Sequence, residues 1–328
     1  MKPQGWLAPL TPLYGAAVAA KNAAYDHGLI RQKKLRGPVV SIGNLSTGGG
    51  GKTPFAISLA MLLAESGMAV DVLSRGYGRS SGAVERVDAS ATSTSERFGD
   101  EPLLIAREAA LPVYVGPQRY DAGLLAEREA VNLPRLHLLD DGFQHRQLAR
   151  DLDIVLLHRD DLRARLLPAG HLREPLSSLG RADVIVLREE DRALAADIRR
   201  YLQPNAVIWH VRRELQLQSA AGKSVAFCGI ARPEEFFADL RAMGADIVDT
   251  LAFPDHHAFN TDDLQRIGQR VKTSGATRIL TTAKDMTRLS QTALEALRRY
   301  APVESVPLMV TLLEPDEVLA RVGSLLNR

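Results

Sequence analysis

Hydrophobic and polar positions along this chain alternate between two periods. Short apolar, β-branched runs at 37–45 (GPVVSIGNL), 69–74, 113–116, 136–139, 154–157 and 184–187 predict buried strands. Between them, 54–66 (PFAISLAMLLAES), closed by Gly67, and 102–110 predict helices. Strands alternating with helices imply parallel strands joined by crossover helices. The stretch 206–218 (AVIWHVRRELQLQ) keeps a period near two for longer, as an antiparallel or connecting strand would. After Gly222 a second series begins, with strands at 224–227, 247–250 and 279–282 and helices at 233–243 and 262–273. The last helix is expected at 314–325. The boundary is placed near 215, giving a leading segment 1–36, a core 37–215 and a smaller C-terminal unit 216–328. The expected fold class is α/β, with a mostly parallel core sheet. No internal repeat is visible, and 88–95, built of Asp, Ala, Ser and Thr, reads as a surface loop.

The leading segment has no charged residue from 3 to 20, which suggests a signal peptide or a membrane span. Pro3, Pro9 and Pro12 interrupt it, and as a helix it would reach only ~27 Å. A signal peptide would want a basic start, an apolar block and a small-residue cleavage site, whereas much of this stretch apart from the prolines is Ala and Gly. Trp6, Leu7, Leu10, Leu13 and Tyr14, followed by the cations Arg31, Lys33, Lys34 and Arg36, suit a segment lying in an anionic membrane interface. A helix docked on its own domain with a solvated basic end fits the same pattern.

Composition narrows the classes. With 328 residues, 45% of them hydrophobic, the chain has material for about two domains. Its 41 basic and 39 acidic residues leave a net charge of +2, so no polycationic nucleic-acid binder is indicated. A single cysteine, Cys228, excludes a disulfide framework and a cysteine-based zinc site. A reducing, cytoplasmic setting is expected.

The strongest local signal is GNLSTGGGGKTP at 43–54, after a predicted strand and before a predicted helix. In that context Ser46, Thr47, Gly48, Gly49, Gly50 and Gly51 form a loop whose backbone N–H groups cradle phosphate at a helix N-terminus. Lys52 would reach the β- and γ-phosphates, and the Thr53 hydroxyl would hold Mg²⁺. Ser46 stands where the general G-x-x-x-x-G-K-[ST] pattern has glycine. Such a loop needs an acidic partner at the end of a neighbouring strand, and Asp140 and Asp141 supply it after LHLL. His145 follows closely, placed either to contact a phosphate or to pack.

These strings, with SRGYGR (74–79), GDEP (99–102), LDDGFQH (139–145), LPAGHLREP (167–175), CGIARPEEF (228–236), FPDHHAF (253–259) and TTAKD (281–285), resemble the lipid A 4′-kinases, the tetraacyldisaccharide 4′-kinases of Gram-negative bacteria. The likeness spans essentially the whole chain, and Ser46 is no departure from that family. It implies a P-loop NTPase-like core, a smaller C-terminal α/β domain and a β-strand linker between them. It also implies ATP and Mg²⁺, and peripheral attachment to the cytoplasmic face of the inner membrane. The implied reaction moves the γ-phosphoryl of ATP to the 4′-hydroxyl of a tetraacylated glucosamine disaccharide 1-phosphate. The partners are then that lipid precursor and an anionic membrane surface; neither nucleic acid nor an obligate protein partner is indicated.

By resemblance, Asp100 and a histidine of FPDHHAF form the base, with His256 favoured over His257, and Lys52 and Asp141 complete the catalytic set. Asp100 and His256 fall on different units, so domain closure would assemble them. Tyr77, Arg79, His171 and Arg173 lie in loops after predicted strands, where a parallel sheet gathers its ligands. With His145 they are the candidate substrate contacts, the arginines suiting the 1-phosphate. Zinc at His256–His257 lacks further ligands at typical spacing. Two rivals remain: a P-loop GTPase or metallochaperone, which would want Asn-Lys-x-Asp where this chain has Ala283-Lys284-Asp285, and a non-enzymatic membrane-bound ATP sensor.

Overall fold

The structure is a computed structural model and describes residues 5–90, 93–130 and 135–327, excluding the side chains of residues 5 and 6. The strands are β1 (Val39–Asn44), β2 (Val70–Ser74), β3 (Glu85–Arg86), β4 (Val113–Val115), β5 (Leu136–Asp140), β6 (Leu152–Leu156), β7 (Val184–Arg188) and β8 (Val207–Leu215). They continue with β9 (Ser224–Cys228), β10 (Ile247–Ala252), β11 (Arg278–Thr282), β12 (Val303–Val306) and β13 (Leu308–Leu312). The larger sheet runs β13-β8-β7-β6-β1-β5-β2-β4-β3 and the smaller β10-β9-β11-β12. Among the described strands, β3 on β4 and β13 on β8 pair antiparallel and the others parallel.

Strands β1, β2, β5 and β6 are buried at every position. That is why their sequences read as continuous apolar runs rather than as alternation: helices cover both faces of a parallel sheet. The helix Lys52–Glu65 buries Phe55, Ala56, Leu59, Ala60 and Leu63 against the sheet, and Ser66–Gly67 end it. Strand β1 sits between β5 and β6, so the chain moves away from it in both directions. The crevice beyond the carboxyl ends of such strands is where ligands bind in open α/β sheets.

The expected unit 216–328 is shorter in the structure. Strand β13 returns to the large sheet and pairs with β8, from Leu308 opposite Leu215 to Leu312 opposite Val211. The helix Pro315–Gly323 then buries Val318 and Val322 in the main core beside Trp209 and Val211. The apolar positions at 308–325 have no preference for either sheet when read alone. What places them is the exposed edge of β8, held further by His210 Nδ1 to Glu314 at 2.8 Å. The second unit is therefore 216–307, and β8 and β13 are the two strands that leave and re-enter the core.

The helix Thr11–Asp26 docks on the core through Asn22 to Glu174 (2.7 Å), Tyr14 Oη to the Arg173 carbonyl (2.9 Å) and Arg146 to Asp26 (2.6 Å). Leu13 on its outer face and Leu10 just before it are exposed, at 70% and 49%. Among the described residues no helix is long and apolar enough to cross a membrane.

Candidate active site

The phosphate loop is built where β1 ends. Gly48, Gly49 and Gly51 have φ of 79°, 61° and 71°, a left-handed region that turns the backbone and that side chains disfavour. Gly50 is required for a different reason: a methyl there would lie 2.6 Å from the Asn44 side-chain nitrogen. Lys52 Nζ donates to Asn44 Oδ1 (2.9 Å) and lies 3.4 Å from Asp141 Oδ1. The loop is braced from outside, where the His171 carbonyl accepts from Thr47 N at 2.8 Å and from its hydroxyl at 3.2 Å. Ser46 is buried and accepts from Asn44. Thr53 is buried in the first helical turn.

Pairing of β5 with β1 brings the aspartates to this loop. Asp140 Oδ2 accepts from Ser74 Oγ at 3.1 Å, whereas Asp140 Oδ1 is buried without a partner. Burial, with Glu101 and Asp141 nearby, pushes the Asp140 carboxyl up to about 7. Asp141 behaves oppositely. Its burial is outweighed by Lys52 and by Arg173, whose two terminal nitrogens donate to it at 3.0 and 2.9 Å, so it stays ionised well below the usual carboxylate range. An unpartnered carboxylate oxygen in acidic surroundings, lining one cavity with the buried Thr53, is a donor set suited to a hard divalent cation. Among the described residues no group of three His, Cys, Asp or Glu side chains could hold a metal alone. Such a cation would therefore share its coordination with phosphate and water, as Mg²⁺ does.

The second half of the site joins the two units. Asp100 opens the helix Asp100–Ala109, and His256 follows β10. His256 Nδ1 lies 3.0 Å from Asp100 Oδ2. Asp100 also takes Arg288, through Nε at 2.8 Å and through Nη2. Burial would raise its carboxyl, but His256, Lys284 and Arg288 together hold it well below the ordinary range. A fixed carboxylate on Nδ1 selects the tautomer that leaves Nε2 able to accept a proton. Lys284 Nζ is 3.4 Å from that Nε2 and 2.9 Å from Glu101. The Tyr77 ring meets the imidazole edge-on at 5.3 Å. His257 is occupied otherwise: Nε2 bonds Asp263 at 2.7 Å, within the cap of the helix Thr261–Ser274, and its ring stacks on Phe253.

One cavity of about 510 Å³ connects the glycine loop, Asp140 and Asp141 to His256. Tyr77 and Arg173 line it; the other three expected substrate contacts do not. Arg79 is packed under the Gly76 turn, its Nη1 4.0 Å from Glu85. His145 is pushed down to about 3 by burial and by Arg119 and Arg150, so it is neutral, and it packs. His171 acts through its carbonyl. Arg173 is held by Asp141 and Asn44 at the phosphate-loop end, not at a separate anion site. Glu101, Lys284 and Arg288 escaped the sequence reading. Lys284 and Arg288 stand four apart on the helix Ala283–Arg288, and that spacing puts both cations on one face. Asp285, the residue that loosely matched a base-reading motif, instead accepts from Gly229 N and Thr282 Oγ1.

A chamber that cradles phosphate at one end and presents a proton acceptor at the other is equipped to move a phosphoryl group onto a hydroxyl. Fold and site together define a P-loop kinase. The chain belongs to the tetraacyldisaccharide-1-P 4′-kinase family, whose model matches residues 4–327. It is 44% identical to the tetraacyldisaccharide 4′-kinase of Koribacter versatilis over 98% of both chains. It is 36% identical to that of Geobacter metallireducens, covering 98% of this chain and 97% of the relative. Among solved structures it is similar to an "apo" form of LpxK from Aquifex aeolicus in complex with ATP. The TM-score is 0.75 at 33% identity, over 96% of this chain and 98% of that one.

Proposed function

We infer that this chain transfers the γ-phosphoryl of ATP to the 4′-hydroxyl of a tetraacylated glucosamine disaccharide 1-phosphate, giving the 4′-phosphorylated lipid A precursor. The contact of Asp100 with His256, which lines the phosphate-loop cavity, carries this reading. A sugar hydroxyl is a weak nucleophile, and an imidazole base fixed at the far end of the chamber is suited to take its proton.

The glycine loop and Lys52 hold the β- and γ-phosphates. Thr53 and Asp140 would hold Mg²⁺, which when bound neutralises charge on the phosphate oxygens. Asp141 keeps Lys52 and Arg173 aimed at the same end. At the other end His256 Nε2 takes the hydroxyl proton, while Asp100, anchored by Arg288, stabilises the imidazolium that forms. Arg173 serves the nucleotide phosphates, and Tyr77 borders the acceptor. The two units must part and close to admit so large an acceptor, and closure excludes water.

A substrate with four acyl chains resides in a bilayer, so the enzyme works at its surface. Exposed Leu10, Leu13, Leu29 and Ile30 beside Arg31, Lys33, Lys34 and Arg36 support peripheral attachment to the anionic cytoplasmic face of the inner membrane. Turnover of ATP against GTP, with and without the disaccharide acceptor, tests the reading. Acceptor-dependent ADP release specific to ATP is expected; acceptor-independent or GTP-selective turnover would return the rival switch reading.

A further inference from the structure

We propose that Arg232 is an arginine finger delivered to the phosphate loop by the C-terminal unit of the same chain. The idea rests on the kinase reading above. Arg232 precedes the helix Pro233–Ala242, just after β9, and lies on the cavity wall. Ala231 and Arg232 cover two successive glycines of the loop. A methyl on Gly49 would lie 3.1 Å from Arg232 Cγ and 3.2 Å from its Nε. A methyl on Gly48 would lie 3.1 Å from Ala231 Cβ and 3.8 Å from Asp255 Oδ2, the neighbour of His256. The backbone of such glycines is what cradles the β- and γ-phosphates. The C-terminal unit thus places the loop that bears His256 over Gly48 and a guanidinium over Gly49.

The guanidinium is oriented and only half used. Nη1 donates to Glu235 Oε1 at 3.0 Å, contacts His158 Nδ1 at 2.7 Å and lies 3.4 Å from Asp160 Oδ2. Glu235 is itself fixed on its other oxygen by Arg188 at 2.8 Å and Arg213 at 3.3 Å. Among the described residues Nε and Nη2 of Arg232 make no hydrogen bond, and Nε is the edge that faces Gly49. Two parallel N–H groups on a fixed plane suit the oxygens of a phosphoryl group in transit.

In the transfer, the bond from the acceptor oxygen to phosphorus forms and the bond to the β-phosphate oxygen breaks. Its electron pair leaves on ADP, and the hydroxyl proton passes to His256 Nε2. Arg232 enters none of these bonds; it offsets the charge spread over the three equatorial oxygens, which is largest midway. Because it arrives with the C-terminal unit, charge stabilisation is complete only when the units are closed.

The test compares the unmodified chain with Arg232→Gln and Arg232→Lys in two measurements, after circular dichroism and thermal melting show each variant folded. With ATP and the disaccharide acceptor, Arg232→Gln should lose about 10²–10³-fold in kcat with little change in KM for ATP. Arg232→Lys, which keeps the charge and the Glu235 pair but not the fork, should still lose more than about tenfold. By calorimetry both variants should bind Mg²⁺–ADP as before but bind Mg²⁺–ADP–aluminium fluoride, a mimic of the phosphoryl in transit, far more weakly. Undiminished kcat overturns the proposal. So does an equal loss of affinity for ADP and its fluoride complex, which would make Arg232 a clasp between the units. The fluoride measurement needs no acceptor and decides the arginine by itself. Failure of the unmodified chain to phosphorylate the disaccharide would instead overturn the functional reading.

Discussion

His256 Nδ1 lies 3.0 Å from Asp100 Oδ2 although the two residues are 156 positions apart and on separate units. Since one carboxylate fixes one imidazole, the two should act as one device. Asp100→Ala and His256→Ala are each expected to lower kcat by about 10²–10⁴-fold with modest change in KM for ATP. The double variant should be little worse than either single one. His257→Ala should instead lower the melting temperature, because it breaks the bond to Asp263 and the stack on Phe253, and should leave kcat within a few-fold. Multiplicative losses in the kinetic cycle would count against a dyad.

Lys52 and Thr53 test the opposite end of the cavity. Lys52→Ala removes a cation held by Asn44 and Asp141, and Thr53→Ala a buried hydroxyl in the first helical turn. Each should cost about 10²–10³-fold in turnover while thermal melting stays close to that of the parent. Near-normal activity of Lys52→Ala would sink the kinase mechanism.

Asp140 should make the nucleotide-free chain less stable as pH rises. Its folded-state carboxyl is raised to about 7, against an ordinary value of 3.8. Between these values the folded state holds a proton that the unfolded state has released, so stability falls with increasing pH across that window. Asp140→Asn removes the ionisation. It is expected to match the parent near pH 4 and to exceed it above pH 7 by on the order of 1 kcal/mol or more, while losing activity. Denaturation by urea at the two pH values reads this directly; a variant less stable at pH 8 would contradict it.

The phosphate loop could be read in the chain because its chemistry is local: β1, the cradle at 46–51 and a helix start follow one another within a few residues. Asp140 and Asp141 were legible for the same reason, as the end of a continuous apolar strand. The choice of His256 came from likeness alone; in the structure His256 meets Asp100 whereas His257 is bound to Asp263. Lys284 and Arg288 were missed because their meaning lies in Asp100 and Glu101, more than 180 positions away. The return of β13 to the large sheet was illegible likewise, since alternation specifies a strand but not its neighbour. Arg79 and His171 show the converse limit. A loop after a strand reaches the ligand edge, yet sequence does not say whether its side chain or its carbonyl faces inward.

Membrane attachment divides into two terms that salt separates. The Trp6 side chain, part of the expected apolar set, lies outside the described residues, and Leu7 is half-buried. The exposed apolar contribution therefore falls on Leu10, Leu13, Leu29 and Ile30, at 49%, 70%, 79% and 40% exposure. Insertion of these side chains is insensitive to ionic strength, so replacing all four by Ser should release the protein from vesicles of anionic lipid at every salt concentration. Arg31, Lys33, Lys34 and Arg36 are exposed and should each add up to roughly 1 kcal/mol near an anionic surface, fading as salt shortens the screening length. Lys33 contributes less than its neighbours, because its ammonium already lies 4.7 Å from the centre of the Tyr120 ring. Replacing the four cations by Gln should weaken cosedimentation most at low salt. Neither set is buried, so thermal melting should not move in either variant, which keeps a loss of binding from being read as unfolding. Unchanged sedimentation in both variants would leave the helix Thr11–Asp26 as a packing element of the core, tied down by Asn22, Tyr14 and Asp26.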